Sequence, residues 1–365
     1  GDAPAAAEFY RNALASDPDN AAMLDRAFVL SLVAGQADEA MDLGARLLDK
    51  DPNHLLARLA LASEAVKRDR FDRASDLLSK PAEGPLADLT NTLFLAWIGA
   101  GRGQTEEAIT AIEALQGPDW YAVFKPYNIG LIAAMAGDEE RAGEAFEQAF
   151  TADPGALRAA QAWVGHLVRA GKREEALAAL DEFATKLPNH PLVADLRTRI
   201  EAGETPAPLV SSARQGVSEL FYGLGAALGS DSAEEYAASY VQLSLYLDPD
   251  NGLARFALAD FFQKLKDYEV AAAAYAAVAK DSPLFDTAEI HRAMVLSLDE
   301  KIEEAKEILR GVIERDPESL EALVALGNLL RGNREFEPAA EIYTDALKLA
   351  EGRDANTWSL HYFRG

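Results

Sequence analysis

The sequence predicts an all-α protein, a right-handed solenoid of about ten helix-turn-helix units in two arrays. Alanines recur every 34 residues, at Ala6, Ala40, Ala74, Ala108, Ala142 and Ala176, and after a break at Ala237, Ala271, Ala305 and Ala339. Prolines follow at a fixed distance behind most of them, usually in Asp-Pro pairs such as Asp17-Pro18, Asp51-Pro52 and Asp153-Pro154. A fixed period of this length indicates one supersecondary unit copied along the chain.

Residues 123–156 show how one unit predicts two helices. An apolar stretch from Phe124 to Met135 is followed by Gly137, which can adopt the left-handed conformation that ends a helix. A second helix is expected from Glu139, with apolar residues at spacings of three and four on one face. Pro154 then ends it, because the residue before a proline is disfavoured in helical conformation. Small alanines at the repeated position allow the helices to pack closely.

The residues at fixed positions of the units match a known motif. In residues 123–156 they are Gly130, Ala142, Phe146, Ala149 and Pro154, and in residues 252–285 they are Leu258, Ala259, Phe262, Ala271, Tyr275 and Pro283. The unit resembles the tetratricopeptide repeat (TPR), a helix-turn-helix that serves in protein recognition. Through Phe9-Tyr10-Arg11 and Ala207-Pro208-Leu209 the chain also resembles large alphaproteobacterial TPR proteins. That resemblance implies a periplasmic or envelope location, with the cytoplasm as the alternative.

The alanine period breaks between Ala176 and Ala237, which are 61 residues apart, or 34 plus 27. The extra segment contains Gly203-Glu204-Thr205-Pro206-Ala207-Pro208, which cannot continue a helix. We therefore expect an N-terminal array at 1–203, a joint at 204–217 and a C-terminal array at 218–365. The alternative is one imperfect repeat that lost its second helix. Both ends fall within a repeat, so a longer protein, or oligomerisation through the solenoid ends, is expected.

The composition argues against several classes of function. The chain has 35 Lys and Arg against 60 Asp and Glu, a formal charge of -25, which disfavours nucleic acid and anionic membrane surfaces as partners. There is no cysteine, and no apolar run is long enough to insert into a membrane. The histidines His54, His166, His190, His291 and His361 have no metal-binding spacing. We expect no metal, no cofactor and no enzymatic activity.

The resemblance implies a concave groove lined by first helices. The fifteen predicted groove residues are Leu59, Leu93, Phe94, Trp97, Phe124, Tyr127, Asn128 and Leu131 in the first array, and Tyr222, Phe256, Asp260, His291, Met294, Asn328 and Arg331 in the second. Aromatic rings with interspersed amides favour a peptide or protein segment with apolar anchors. The alternatives are that these side chains pack between repeats, that the chain is an assembly scaffold, or that it positions substrate for a larger enzyme.

Overall fold

Twenty-one α-helices make up the regular structure of the described residues, which in this computed structural model are 3–81, 83–188, 190–229, 234–350 and 357–364. No strand occurs among them, so the all-α prediction is confirmed. The chain divides into two compact units, residues 2–254 and residues 255–365. None of the described helices is both long and apolar enough to cross a membrane.

The first unit begins with a run of helical hairpins, between residues 3 and 201, in which each helix packs against the next along the chain. Its helices are α1 (Ala3–Ser16), α2 (Ala21–Val33), α3 (Ala37–Lys50), α4 (Leu55–Lys67), α5 (Phe71–Leu78), α6 (Pro85–Gly101), α7 (Thr105–Ala114), α8 (Tyr121–Ala136), α9 (Glu139–Ala152), α10 (Leu157–Arg169), α11 (Arg173–Ala184), α12 (Pro191–Glu201), α13 (Ala213–Leu228) and α14 (Glu234–Leu247). The first helices of successive units, α4, α6, α8 and α10, also contact one another in that order. We call the side that α2, α4, α6 and α8 share the first-helix face.

The recurring alanines all lie on second helices and are almost fully buried. From Ala40 to Ala339 each of them is at most 4% exposed, and only Ala6 on α1 is half-buried. A methyl group at this position leaves room for the neighbouring helix, which a larger side chain would push away. The 34-residue period therefore reflects the packing between helices.

Two positions in the hairpin of α8 and α9 require glycine, each for a different physical reason. Gly137 follows α8 with φ +83°, the left-handed conformation expected at this helix end. Gly130 lies inside α8, where a Cβ would stand 2.5 Å from the ring of Phe146 on α9. The phenyl ring thus occupies the space that a side chain at position 130 would need.

The helices α13 and α14 do not continue the row of hairpins in the first unit. They pack against each other, and α13 contacts α4, α6 and α8 while α14 contacts α2 and α4. We call residues 213–247 the α13–α14 hairpin. The sequence placed residues 218–254 in the C-terminal array after a joint at 204–217. In the structure they belong to the compact unit of residues 2–254, because their apolar side chains are buried on the first-helix face.

The second unit contains alternating first and second helices. They are α15 (Gly252–Lys264), which begins at the division, α16 (Tyr268–Ala276), α17 (Phe285–Leu298), α18 (Ile302–Arg315), α19 (Leu320–Gly332), α20 (Phe336–Ala350) and α21 (Trp358–Arg364). From α16 onward each helix packs on the next, and the first helices α17 and α19 contact each other. Gly327 on α19 repeats the arrangement of Gly130, since a Cβ there would stand 2.7 Å from Tyr343 on α20.

Candidate functional site

The groove residues predicted for the first array lie beneath the α13–α14 hairpin or between repeats. Seven of the eight are buried, namely Leu59, Leu93, Phe94, Trp97, Tyr127, Asn128 and Leu131. Phe124 is half-buried, and its ring faces Gly223 of α13. The first-helix face of residues 2–254 is thus covered by helices of the same chain.

Trp97 on α6 lies at the centre of this covered face. Its indole Nε1 donates a hydrogen bond to Asn128 Oδ1 at 2.8 Å, and the Asn128 amide donates to Phe124 O, also at 2.8 Å. The ring lies against Gly216 of α13, where any side chain would collide with it. The indole N–H is therefore satisfied inside the protein, and the ring face is covered.

Aromatic rings connect the two helices of the hairpin to the first-helix face. Phe94 of α6 meets Phe221 of α13 edge to face with ring centroids 5.5 Å apart, and Phe221 meets Tyr240 of α14 at 5.4 Å. The Tyr240 hydroxyl is 3.3 Å from Thr90 Oγ1, within hydrogen-bonding distance. Burial raises the pKa of Tyr240 to about 12, so the phenol is neutral at ordinary pH. These contacts have the geometry of a protein core.

A buried polar cluster accompanies the rings. The Glu219 carboxylate on α13 accepts a hydrogen bond from the Tyr127 hydroxyl at 3.0 Å and another from Arg158 Nε at 2.9 Å. Arg158 Nη2 donates to the second oxygen of Glu219, which makes the pair bidentate. Burial, followed by the nearby Glu219 charge, raises the pKa of Tyr127 well above its ordinary value. Every member of this cluster has a partner, which is the condition for burying charge at low cost.

The contacts of α14 lie closer to solvent. Arg26 Nη2 of α2 donates to Glu235 Oε1 at 2.8 Å, and the Gln242 amide donates to Val33 O at 2.8 Å. Lys67 Nζ donates to Tyr246 O at 2.8 Å and lies 3.8 Å from the centroid of the Tyr246 ring. These polar contacts fix the register of α14 along α2 and α4.

In the second unit, three of the predicted groove residues meet around Tyr275, a residue of the second helix α16. The Phe256 ring lies 5.1 Å from Tyr275 and 5.0 Å from His291 between centroids. The Tyr275 hydroxyl donates to Asp260 Oδ1 at 2.5 Å, and His291 Nδ1 is 3.4 Å from the same hydroxyl. Burial, followed by the hydrogen bond to Asp260, raises the pKa of Tyr275. We call these four residues the Asp260 cluster.

The remaining predicted residues of this unit divide into two groups. Asn328 and Arg331 contact Tyr343, whose hydroxyl donates to Asn328 Oδ1 at 2.8 Å. The Arg331 guanidinium lies 4.2 Å above the Phe363 ring. Met294 on α17 is 47% exposed, and Leu298 on the same helix is 53% exposed. Tyr222, which the sequence assigned to the second array, lies half-buried on α13 in the first unit.

A family model matches part of the second unit. Residues 299–354 match the model described as tetratricopeptide repeat. The match covers the helices α18, α19 and α20, so this part of the second unit carries the tetratricopeptide repeat pattern. The TPR arrangement agrees with the alternating first and second helices and with the small residue of one helix facing the aromatic ring of the next.

Three solved structures with the same kind of helices illustrate the extent of the likeness. MamA from residue 41 to its end, from Desulfovibrio magneticus RS-1, is 23% identical, covers 56% of this chain and 98% of its own, and has a TM-score of 0.34. Naa15/Naa10 bound to HypK-THB is 16% identical over 98% of this chain and 65% of that one, with a TM-score of 0.35. A TPR protein from Parabacteroides merdae ATCC 43184 is 14% identical over 76% and 97%, with a TM-score of 0.34. No curated protein matches the chain.

Several residues of these surfaces were missed by the sequence analysis. Glu219 and Arg158 have no recognisable spacing, since they are 61 residues apart and meet only because α13 folds back. Tyr275 was recognised only as a position of the TPR pattern, with no contact to the predicted groove residues expected from it. Among the described residues no group of three or more His, Cys, Asp or Glu could hold a metal ion.

Proposed function

We propose that the protein is a non-catalytic interaction module that binds a segment of a partner protein on the first helices of residues 255–364. The observation that carries the proposal is the exposure of Met294 and Leu298, which follow His291 of the Asp260 cluster by about one and two turns of α17. TPR units recognise partners through the face formed by their first helices. Exposed apolar side chains next to fixed polar groups are typical of such binding surfaces.

The two units differ in what covers this face. In residues 2–254 the α13–α14 hairpin buries Trp97 and Tyr127, the residues that the sequence favoured as binding anchors. We assign these side chains to the scaffold, since a partner would have to displace packed aromatic rings and a buried ion pair. In the second unit Asp260, His291 and Asn328 are held by hydrogen bonds and ring contacts within the unit, which favours binding without rearrangement.

The proposal is tested by capture from a lysate of the native host with the full chain as bait. The variant Met294→Asp with Leu298→Asp places two charges on the proposed face. The matched control is Phe336→Asp, because Phe336 is 64% exposed in the same unit but lies on the second helix α20. We expect proteins that the unchanged chain and the control retain, but that the double variant loses. Equal retention by all three baits contradicts the proposal.

A further inference from the structure

We infer that the partner segment presents an arginine or lysine side chain to Asp260 and an apolar side chain, a few residues away, to Met294 and Leu298. This inference rests on the proposed function and specifies the chemistry of its ligand. Four features of the unit support it: the hydrogen bonds of Asp260, the rings around it, the charge of the unit and the spacing of its first helices.

Among the described residues, the Tyr275 hydroxyl is the hydrogen-bond donor to Asp260, and it uses Oδ1 alone. The carboxylate is half-buried on α15 and accepts the Tyr275 hydroxyl proton at Oδ1. The ion pairs of this unit use other carboxylates, such as Glu304 with Arg292 and Asp286 with Arg315. A half-buried carboxylate with one neutral hydrogen-bond donor is best completed by a cation, which forms a stronger, charge-assisted bond.

The rings beside Asp260 suit a cation as well. Phe256 and His291 are half-buried, lie 5.0 Å apart between centroids, and both pack against the buried Tyr275. Aromatic faces attract guanidinium and ammonium groups, arginine more often than lysine. The Tyr275 proton is directed at Asp260 Oδ1, so the phenol does not compete with the arriving cation for the other oxygen.

The net charge of the unit agrees with a basic ligand. Residues 255–365 contain 14 Lys and Arg and 21 Asp and Glu, which gives 14 - 21 = -7. Such a field raises the encounter rate of basic segments and repels acidic ones. The Arg331 guanidinium is placed over Phe363 and beside Tyr343, so this cation is already engaged by rings.

The spacing of the first helices sets the spacing within the ligand. Helix α15 meets α17 through the contact between Phe256 and His291. Neighbouring helix axes lie about 8–10 Å apart, and an extended chain advances about 3.3 Å per residue. The basic residue that reaches Asp260 and the apolar residue that reaches Met294 should therefore be about two to four positions apart.

The inference is tested by selecting random twelve-residue peptides displayed on phage against the full chain. We expect the enriched peptides to share a basic residue two to four positions from an apolar one. Their affinity should fall about tenfold or more for Asp260→Asn and be retained by Glu337→Gln. The control removes the same charge from an exposed position on α20. It therefore shows how much affinity is lost through the change in net charge alone.

A second measurement keeps the test independent of the folding of Asp260→Asn. The basic residue of an enriched peptide is replaced by glutamine and binding to the unchanged protein is measured, with a tenfold or greater loss expected. Enriched peptides that lack the basic residue, yet are lost by the Met294→Asp and Leu298→Asp variant, overturn the inference and leave the proposed function standing. Enrichment that this variant does not abolish overturns both.

Discussion

The Cα of Gly216 lies so close to the indole of Trp97 that a Cβ at position 216 would stand 2.3 Å from the ring atoms Cε3 and Cζ3. The two residues are far apart in the chain and meet because α13 lies across α6. Trp97 has no exposed surface and its N–H is bonded to Asn128, so the ring has little freedom to move. The absence of a side chain at position 216 is thus a condition for the α13–α14 hairpin to reach the first-helix face.

Replacing Gly216 by alanine should destabilise the unit of residues 2–254. Alanine favours a helix over glycine by up to about 1 kcal/mol, but overpacking a rigid core costs about 1–3 kcal/mol. A 2.3 Å contact with a buried ring places this substitution at the upper end of that range. We expect a net loss of about 2 kcal/mol in the free energy of unfolding, measured as a lower urea midpoint.

Gly223→Ala is the matched control in the same helix. A Cβ at position 223 would be 3.6 Å from the Phe124 ring, an ordinary van der Waals distance. Helix propensity then dominates, and stability should be unchanged or rise by up to about 1 kcal/mol. If Gly216→Ala is as stable as Gly223→Ala, the α13–α14 hairpin is not packed on Trp97 as described.

Removing the charge of Glu219 should be among the most destabilising substitutions in the first unit. Glu219→Gln leaves the Arg158 guanidinium, whose side chain is 20% exposed, without its bidentate partner, and breaking such a largely buried pair costs about 3 kcal/mol. The Tyr127 hydroxyl keeps an acceptor in the glutamine amide, so the loss reports mainly on Arg158. The measurement is the urea midpoint followed by circular dichroism.

The double variant Glu219→Gln with Arg158→Met distinguishes charge from packing. It removes both charges and keeps an acceptor for the Tyr127 hydroxyl, so it should be considerably more stable than Glu219→Gln alone. If the double variant is less stable than Glu219→Gln, the two side chains stabilise the packing of α13 by more than cancelling the cost of each other's buried charge.

The regular parts of the fold could be predicted from the sequence because the same helix packing recurs in each repeat. The alanine at each second helix and the glycine at the end of α8 depend on neighbours within the same hairpin, so local pattern and structure agree. The first helix of the unit at residues 123–156 was expected from Phe124 and is found from Tyr121. Such boundaries shift by a few residues without changing the face that a helix buries.

The location of the α13–α14 hairpin could not be predicted, since it depends on contacts between residues that are far apart in the sequence. The repeat period predicts that residues 218–251 form a helix pair, but not whether that pair continues the row or folds onto it. Phe94, Trp97 and Tyr127 have the composition of a binding groove, and the same aromatic character suits a buried interface. Only the fold distinguishes a ligand surface from an internal one.

The pair formed by Arg26 and Glu235 predicts a specific pH dependence. The hydrogen bond from Arg26 lowers the pKa of Glu235 from its ordinary value of 4.5. The pair therefore stabilises the fold at pH values above about 4.5, and this contribution is lost as pH falls through the lower folded pKa. Both side chains are more than a third exposed, so solvent screening limits the contribution to about 1 kcal/mol or less.

Glu235→Gln should accordingly be less stable than the unchanged protein at pH 7, and the difference should shrink as pH falls through the lowered folded pKa of Glu235. Urea midpoints at half-unit intervals between pH 3 and 7 measure it. In an Arg26→Met background the same substitution should have no effect at any of these pH values, because the partner is absent. A difference that stays constant with pH would assign the effect to something other than the ion pair.

Arg58 on α4 binds backbone carbonyls at and beyond the end of the short helix α5, and its loss should be costly. The side chain is 1% exposed, and its guanidinium donates to Leu77 O at 2.8 Å and also to the carbonyls of Lys80 and Pro81. Lysine has a single ammonium group and cannot reproduce this fork. Arg58→Lys should therefore lower the free energy of unfolding by about 3 kcal/mol, since buried carbonyls lose charge-assisted donors. The matched control is Arg102→Lys. Its partner Asp72 is almost fully exposed, so this variant should lose no more than about 0.5 kcal/mol in the free energy of unfolding. If the two variants have the same urea midpoint, the end of α5 is held by its apolar contacts, and the carbonyl bonds of Arg58 contribute little.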